Sequence, residues 1–145
     1  MPEYIAPYIT TEEYRCSHCG KLPPSLACGE DWMTMLIFYE LFHAFALLRE
    51  LWGGPIKINS GYRCPVHNLA IGGSYNSTHM FGAALDADFH SKADVLKAYG
   101  ILHEGCPDLR IGVYTETGTF LHMDTGYHIF PRAEEDWVEG ARWFK

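Results

Sequence analysis

Apolar and polar positions along this chain follow two periods, and they divide it into short elements. From Asp31 to Trp52 apolar residues crowd a helical pattern and leave Glu40, His43 and Glu50 on a narrow polar stripe, which predicts a largely buried helix. Asp31 can cap its start, and Gly53-Gly54-Pro55 stops it. Ile56-Lys57-Ile58-Asn59 alternates like a short strand, and Pro65 opens a short helix to about Ile71 that Gly72-Gly73 ends. Ala84 to Phe89 has the period of a strand, with Ala84, Asp86 and Asp88 on one face and Leu85, Ala87 and Phe89 on the other. Ser91 caps a second helix running to about Glu104, with Val95, Leu96, Tyr99 and Leu102 as its apolar face. Arg110–Thr115 and Thr119–Thr125 read as a hairpin turning at Glu116-Thr117-Gly118, and Leu121 and Met123 oppose Phe120, His122 and Asp124. The ends are less regular. Residues 1–30 carry Pro2, Pro7, Pro23 and Pro24, and the tail carries Pro131, Glu134-Glu135-Asp136 and the aromatics Trp137, Trp143 and Phe144, which predict a loop and short element packed by aromatics.

These elements predict one α+β domain over residues 1–145, with an irregular, cysteine-containing segment 1–30 and a core 31–145. In that core a small, mainly antiparallel sheet carries the polar side chains, and the 31–52 helix packs on its back. Charged residues at 20% and apolar residues at 48% fit a folded globule rather than a disordered chain. The net charge of -7 argues against general nucleic-acid binding, which needs a basic face. Met33–Leu48, the most apolar run, is short for a membrane span and contains Glu40 and His43, so membrane insertion is not expected. The N-terminus has no basic region followed by an apolar one, so no signal peptide is read and synthesis is expected in the cytoplasm. Five cysteines would leave one thiol over from any full set of disulfides, which favours a reducing compartment. The oligomeric state has no signature.

Candidate chemistry gathers in Ser77-Thr78-His79-Met80-Phe81-Gly82-Ala83-Ala84-Leu85-Asp86 and in Phe120-Leu121-His122-Met123-Asp124. His79, Asp86 and His122 form a ligand set suited to a catalytic zinc with a fourth position left for water. Such an ion activates water and polarises a carbonyl, the requirements of amide hydrolysis. Gly82 permits a tight turn or a close approach of backbone to ligand, and small Ala84 leaves room beside Asp86. A second cluster, Cys16-Ser17-His18-Cys19-Gly20, has the spacing of half a zinc ribbon. Cys28 and Cys64 could complete a structural zinc there; buried thiols or a disulfide are the alternatives. His43, on the rim of a core helix, is read as structural.

The pattern Ser77-x-His79-x-x-Gly82-x-Ala84-x-Asp86 followed by His122-x-Asp124 resembles the zinc D-Ala-D-Ala carboxypeptidases, peptidase family M15, a group related to lysostaphin-type enzymes and the hedgehog signalling domain. Ser60-Gly61-Tyr62-Arg63-Cys64-Pro65-x-His67-Asn68 and the preceding helix resemble the bacterial and phage subgroup, and Gly140-Ala141-Arg142-Trp143 is similar to its ending. The resemblance implies His79, Asp86 and His122 as zinc ligands and places Arg63 at the site, where it could hold a substrate carboxylate or the developing oxyanion. Ser77 then supports the site by a hydrogen bond rather than acting as nucleophile. Many relatives carry the catalytic base as His two residues, or as Glu or Asp three residues, before the last ligand, where this chain has Phe120 and Thr119. Asp124 is the first candidate for that role, with orientation of a ligand histidine as its competing role; Glu116 and His128 follow. The implied partners are peptidoglycan stem peptides, cut by a D,D-carboxypeptidase or cross-link endopeptidase such as a phage lysis enzyme or an excised domain acting at the cell wall. A non-catalytic zinc module binding cell-wall peptide or a protein is the alternative, and a zinc-ribbon nucleic-acid binder conflicts with the acidic balance.

Overall fold

Leu121 and Met123 leave one face of a central strand, His122 and Asp124 the other, and the architecture follows from covering the first face. The computed structural model describes residues 1–24, 32–129 and 137–145. The Asp31 cap, Cys28, Pro131 and the acidic run Glu134–Asp136 lie outside the described residues.

The N-terminal segment, expected to be irregular, forms a small hairpin, β1 (Tyr4–Ala6) and β2 (Ile9–Thr10), followed by a single helical turn, α1 (Thr11–Tyr14). A capping box explains that turn: Thr10 Oγ1 accepts from the Glu13 amide at 3.1 Å, and Glu13 Oε2 accepts from the Thr10 amide at 2.9 Å. Next come α2 (Trp32–Trp52), β3 (Lys57–Ser60), α3 (Pro65–Ala70), β4 (Ala84–Asp88), α4 (Lys92–Gly105), β5 (Arg110–Tyr114), β6 (Phe120–Asp124) and β7 (Arg142–Phe144). Helix α2 buries one stripe, Phe38, Leu41, Ala44, Phe45 and Leu48, while Tyr39 and Leu51 stay exposed. Its exposed positions from residue 36 on are His43 and Glu50 of the polar stripe, together with Tyr39 and Leu51. In α4 the buried positions are Val95, Ala98 and Leu102, which share one helix face, and Leu96 lies off that face and is exposed.

Strands β3–β7 form one sheet in the order β3-β4-β6-β5-β7, antiparallel except for the parallel pair β5–β7. The fold class is α+β, with a mainly antiparallel sheet, as the sequence indicates. The short element expected in the tail is β7, which joins the sheet as its fifth strand. Leu85, Ala87, Ile111, Val113, Leu121 and Met123 join the residues of α2 and α4 in one core. Covering that face with helices leaves the opposite face free for polar work. Among the described residues no helix is long and apolar enough to cross a membrane.

Candidate metal centre

Strand register builds the site. Ser60, Asp86, His122, Gly112 and Trp143 are successive neighbours across all five strands, so they form a row on the face away from the helices. The next row is Ala84, Asp124 and Arg110. At β3 the pairing shifts between Ile58 and Ser60, a bulge that re-aims the chain just before Gly61. His79 comes from a 3₁₀ turn, Thr78–Phe81, capped by Ser77, whose Oγ accepts from the His79 amide at 3.3 Å. Gly82 closes this turn at φ +71° and has no room for a side chain, since a Cβ there would lie 2.5 Å from the Tyr14 hydroxyl. Of the two readings of Gly82, the structure takes the tight turn.

His79, Asp86 and His122 each direct a ligand atom into one place, all within 4.8 Å of one another. The Gly61 carbonyl can only accept, so at 2.7 Å it holds the Nδ1 proton of His79 and leaves Nε2 facing Asp86 Oδ2 at 3.2 Å. On His122, Nε2 lies 2.6 Å from Asp124 Oδ2 and Nδ1 lies 2.9 Å from Asp86 Oδ1. Burial alone would keep His122 neutral, but hydrogen bonds and charge from Asp124 and Asp86 outweigh it and push the imidazole up to about 9. The His122 ring is thus clamped between two carboxylates, those of Asp86 and Asp124. Burial opposes ionisation of Asp86, yet the two histidines hold its carboxyl well below the usual range. His79, Asp86 and His122 therefore form a group that could hold a metal ion.

Asp124 is 1% exposed and engaged on both oxygens. Oδ1 accepts from Arg110 Nη1 at 3.1 Å and from the Gly126 amide at 2.8 Å, while Oδ2 serves His122. The Arg110 guanidinium lies 4.0 Å from the ring centre of Trp137 and 5.2 Å from that of Trp143. Trp143 in turn reaches over Gly112 to within 5.5 Å of the His122 ring and donates to Tyr114 Oη at 3.1 Å. Half-buried Arg63 donates to Asn68 Oδ1 at 3.0 Å and Ser60 Oγ at 3.4 Å, and feels the charge of Asp86. Glu116 sits exposed on the hairpin turn with Lys92, and His128 pairs with Glu40 of α2 at 2.9 Å. Arg110, Gly112 and Trp143 were not legible as site residues by motif. The hairpin register would have found Arg110, because a turn at 116–118 sets it opposite Asp124.

The cysteines come together differently from a disulfide: Cys16, Cys19, Cys64 and Cys106 are all free thiols, and the first three form a second group that could hold a metal. A family model described as Peptidase M15 matches residues 21–124, which takes in Arg63, His79, Asp86, His122 and Asp124. No curated protein matches the chain.

Proposed function

This chain belongs to the peptidase M15 family, a family of metallopeptidases, and from that premise we propose that it is a zinc enzyme hydrolysing the peptide part of bacterial peptidoglycan, as a D,D-carboxypeptidase or a cross-link endopeptidase. The observation that carries the reading is the convergence of His79 Nε2, His122 Nδ1 and the Asp86 carboxylate, with each imidazole's other nitrogen already held. These three residues would hold the ion, which when bound acidifies water and polarises a scissile carbonyl.

The rest is the work of side chains. The Gly61 carbonyl and Asp124 fix which nitrogen of each histidine is presented, and Arg110 and the Gly126 amide hold Asp124 ionised in a buried place. Burial opposes the Asp124 charge, but His122, Arg110 and Gly126 together keep its carboxyl below the usual range. With both oxygens engaged, Asp124 is a positioning residue in this reading rather than the group that takes the proton from water. Arg63, with only part of its N–H set used within the protein, receives a substrate carboxylate or the oxyanion that develops at the scissile carbonyl. Trp143 and the stacked pair Tyr114–Phe120, on the site face, form an apolar wall beside the ligands.

One observation favours the second reading, a zinc module that binds wall peptide without cutting it: Phe120 and Thr119 stand where a base is expected, and Asp124 is fully engaged. The test is release of D-alanine from a muropeptide ending in D-Ala-D-Ala, alongside digestion of cross-linked sacculi, each with zinc-loaded protein and with His122→Ala. Product from either substrate that disappears in the variant supports the enzyme. Retained binding of sacculi with no product from either supports the binding module.

A further inference from the structure

Cys16 and Cys64 are 48 positions apart, yet the Cys64 amide donates to Cys16 Sγ at 3.4 Å. Cys19 completes the group, and the three sulfurs lie within 4.8 Å of one another. Local geometry is that of a metal knuckle. The Gly20 amide bonds the Cys16 carbonyl at 2.8 Å, the Cys16 amide bonds the Lys21 carbonyl at 3.0 Å, and Gly20 takes φ +72° to close the turn. The His67 amide likewise donates to Cys64 Sγ at 3.4 Å. Amides aimed at sulfur stabilise thiolate charge, and three sulfurs this close need a cation between them to stay ionised together.

We propose that Cys16, Cys19 and Cys64 bind a soft divalent ion of the zinc class at a structural site separate from the His79–Asp86–His122 centre. An all-sulfur set selects zinc over magnesium or calcium. Cys16 and Cys64 are buried and Cys19 is exposed, so the ion lies at the edge of the fold. Its effect is to pin the N-terminal segment to the loop that supports the other centre. That loop is already pressed from the same side: the Tyr62 amide donates to the Tyr14 carbonyl at 2.7 Å, and Gly61 packs so tightly on Tyr14 that a Cβ would lie 2.6 Å from its oxygen. Gly61 then holds His79 Nδ1, and the Arg63 amide donates to the His79 carbonyl at 3.0 Å. Cys16 and Cys19 precede the residues that the family model matches, and Cys64 lies within them.

The full chain is loaded with zinc, freed of loose metal and measured by elemental analysis, and separately loaded with cobalt for absorption spectroscopy. Wild type is expected to hold about two ions, and Cys19→Ser and His122→Ala about one each. The intense near-ultraviolet band of a cobalt–thiolate bond is expected in wild type and His122→Ala and absent from Cys19→Ser. Cys19 is exposed, so this variant keeps its core, which an unchanged circular dichroism spectrum verifies. A zinc count and cobalt band in Cys19→Ser equal to those of wild type would overturn the site. So would the absence of any thiolate band in folded wild-type protein. Because the band is read in His122→Ala as well, the outcome does not depend on whether the other centre is catalytic.

Discussion

Asp124 Oδ2 and His122 Nε2 stand 2.6 Å apart, two residues along one strand, and this contact decides which nitrogen of His122 faces Asp86. Replacing Asp124 with Asn keeps the shape and removes the charge. Zinc affinity, measured by competition with a chromophoric chelator, is expected to fall about 10- to 100-fold while the fold survives. Unchanged affinity would mean that Asp124 does not orient the ligand.

Arg110 and Asp124 form an ion pair whose side chains are 7% and 2% exposed. Removing the cation leaves a buried carboxylate short of a partner. Arg110→Ala is expected to lower unfolding free energy by roughly 3–5 kcal/mol, read from urea denaturation. Asp124 keeps His122 and the Gly126 amide, so the lower end of that range is the natural expectation.

Protons and metal compete at His122. Its imidazole is raised from the ordinary 6.5 to about 9, so without metal the stabilising charge is fully present below about pH 6.5 and is lost as pH rises through about 9. Asp86 is shifted the other way, so its contribution is present above the ordinary carboxylate value and is lost as pH falls below it. The metal-free protein should therefore lose thermal stability on the alkaline side between those two histidine values, and again in acid. Zinc affinity should rise about tenfold per pH unit over the same alkaline window, since one proton leaves His122 as metal binds. Calorimetry at several pH values checks both slopes, and a pH-independent affinity would contradict them.

Gly112 is the gap into which Trp143 fits. A Cβ at this position would lie 2.5 Å from two atoms of the indole ring, which is rigid and held by strand β7. Gly112→Ala is expected to displace Trp143, cost about 1–3 kcal/mol, and leave zinc content unchanged. Indole fluorescence and metal analysis separate that result from a general collapse.

Arg63 offers a test of substrate recognition. Arg63→Gln is expected to reduce kcat/KM for a peptide with a free terminal carboxylate about 10- to 100-fold, the weight of a hydrogen bond to a charged group. The loss should be much smaller for the same peptide with an amidated end. Equal losses for both would assign Arg63 to the scissile carbonyl instead.

What could be read from the chain alone was whatever depends on neighbours in sequence. The alternation at 84–88 and 120–124 sorted Asp86 and His122 from Leu85 and Leu121, because a strand turns over at every residue. Ser91 and Gly53 marked helix ends for equally local reasons, since caps and stops act within one turn. The candidate ligands stood out by combination: His79 and Asp86 seven residues apart with Gly82 and small residues between them, and two strands that sort Asp86 and His122 to one face. Tertiary structure decided everything that needed a partner far along the chain. That the Gly61 carbonyl sets the tautomer of His79, and that Cys64 of the two candidate cysteines is the one seen to join Cys16 and Cys19, depend on contacts between distant segments about which local propensity holds no information. Trp143 reaches the site only because β7 adds in parallel beside β5, a pairing whose register is set by packing over Gly112 rather than by any turn.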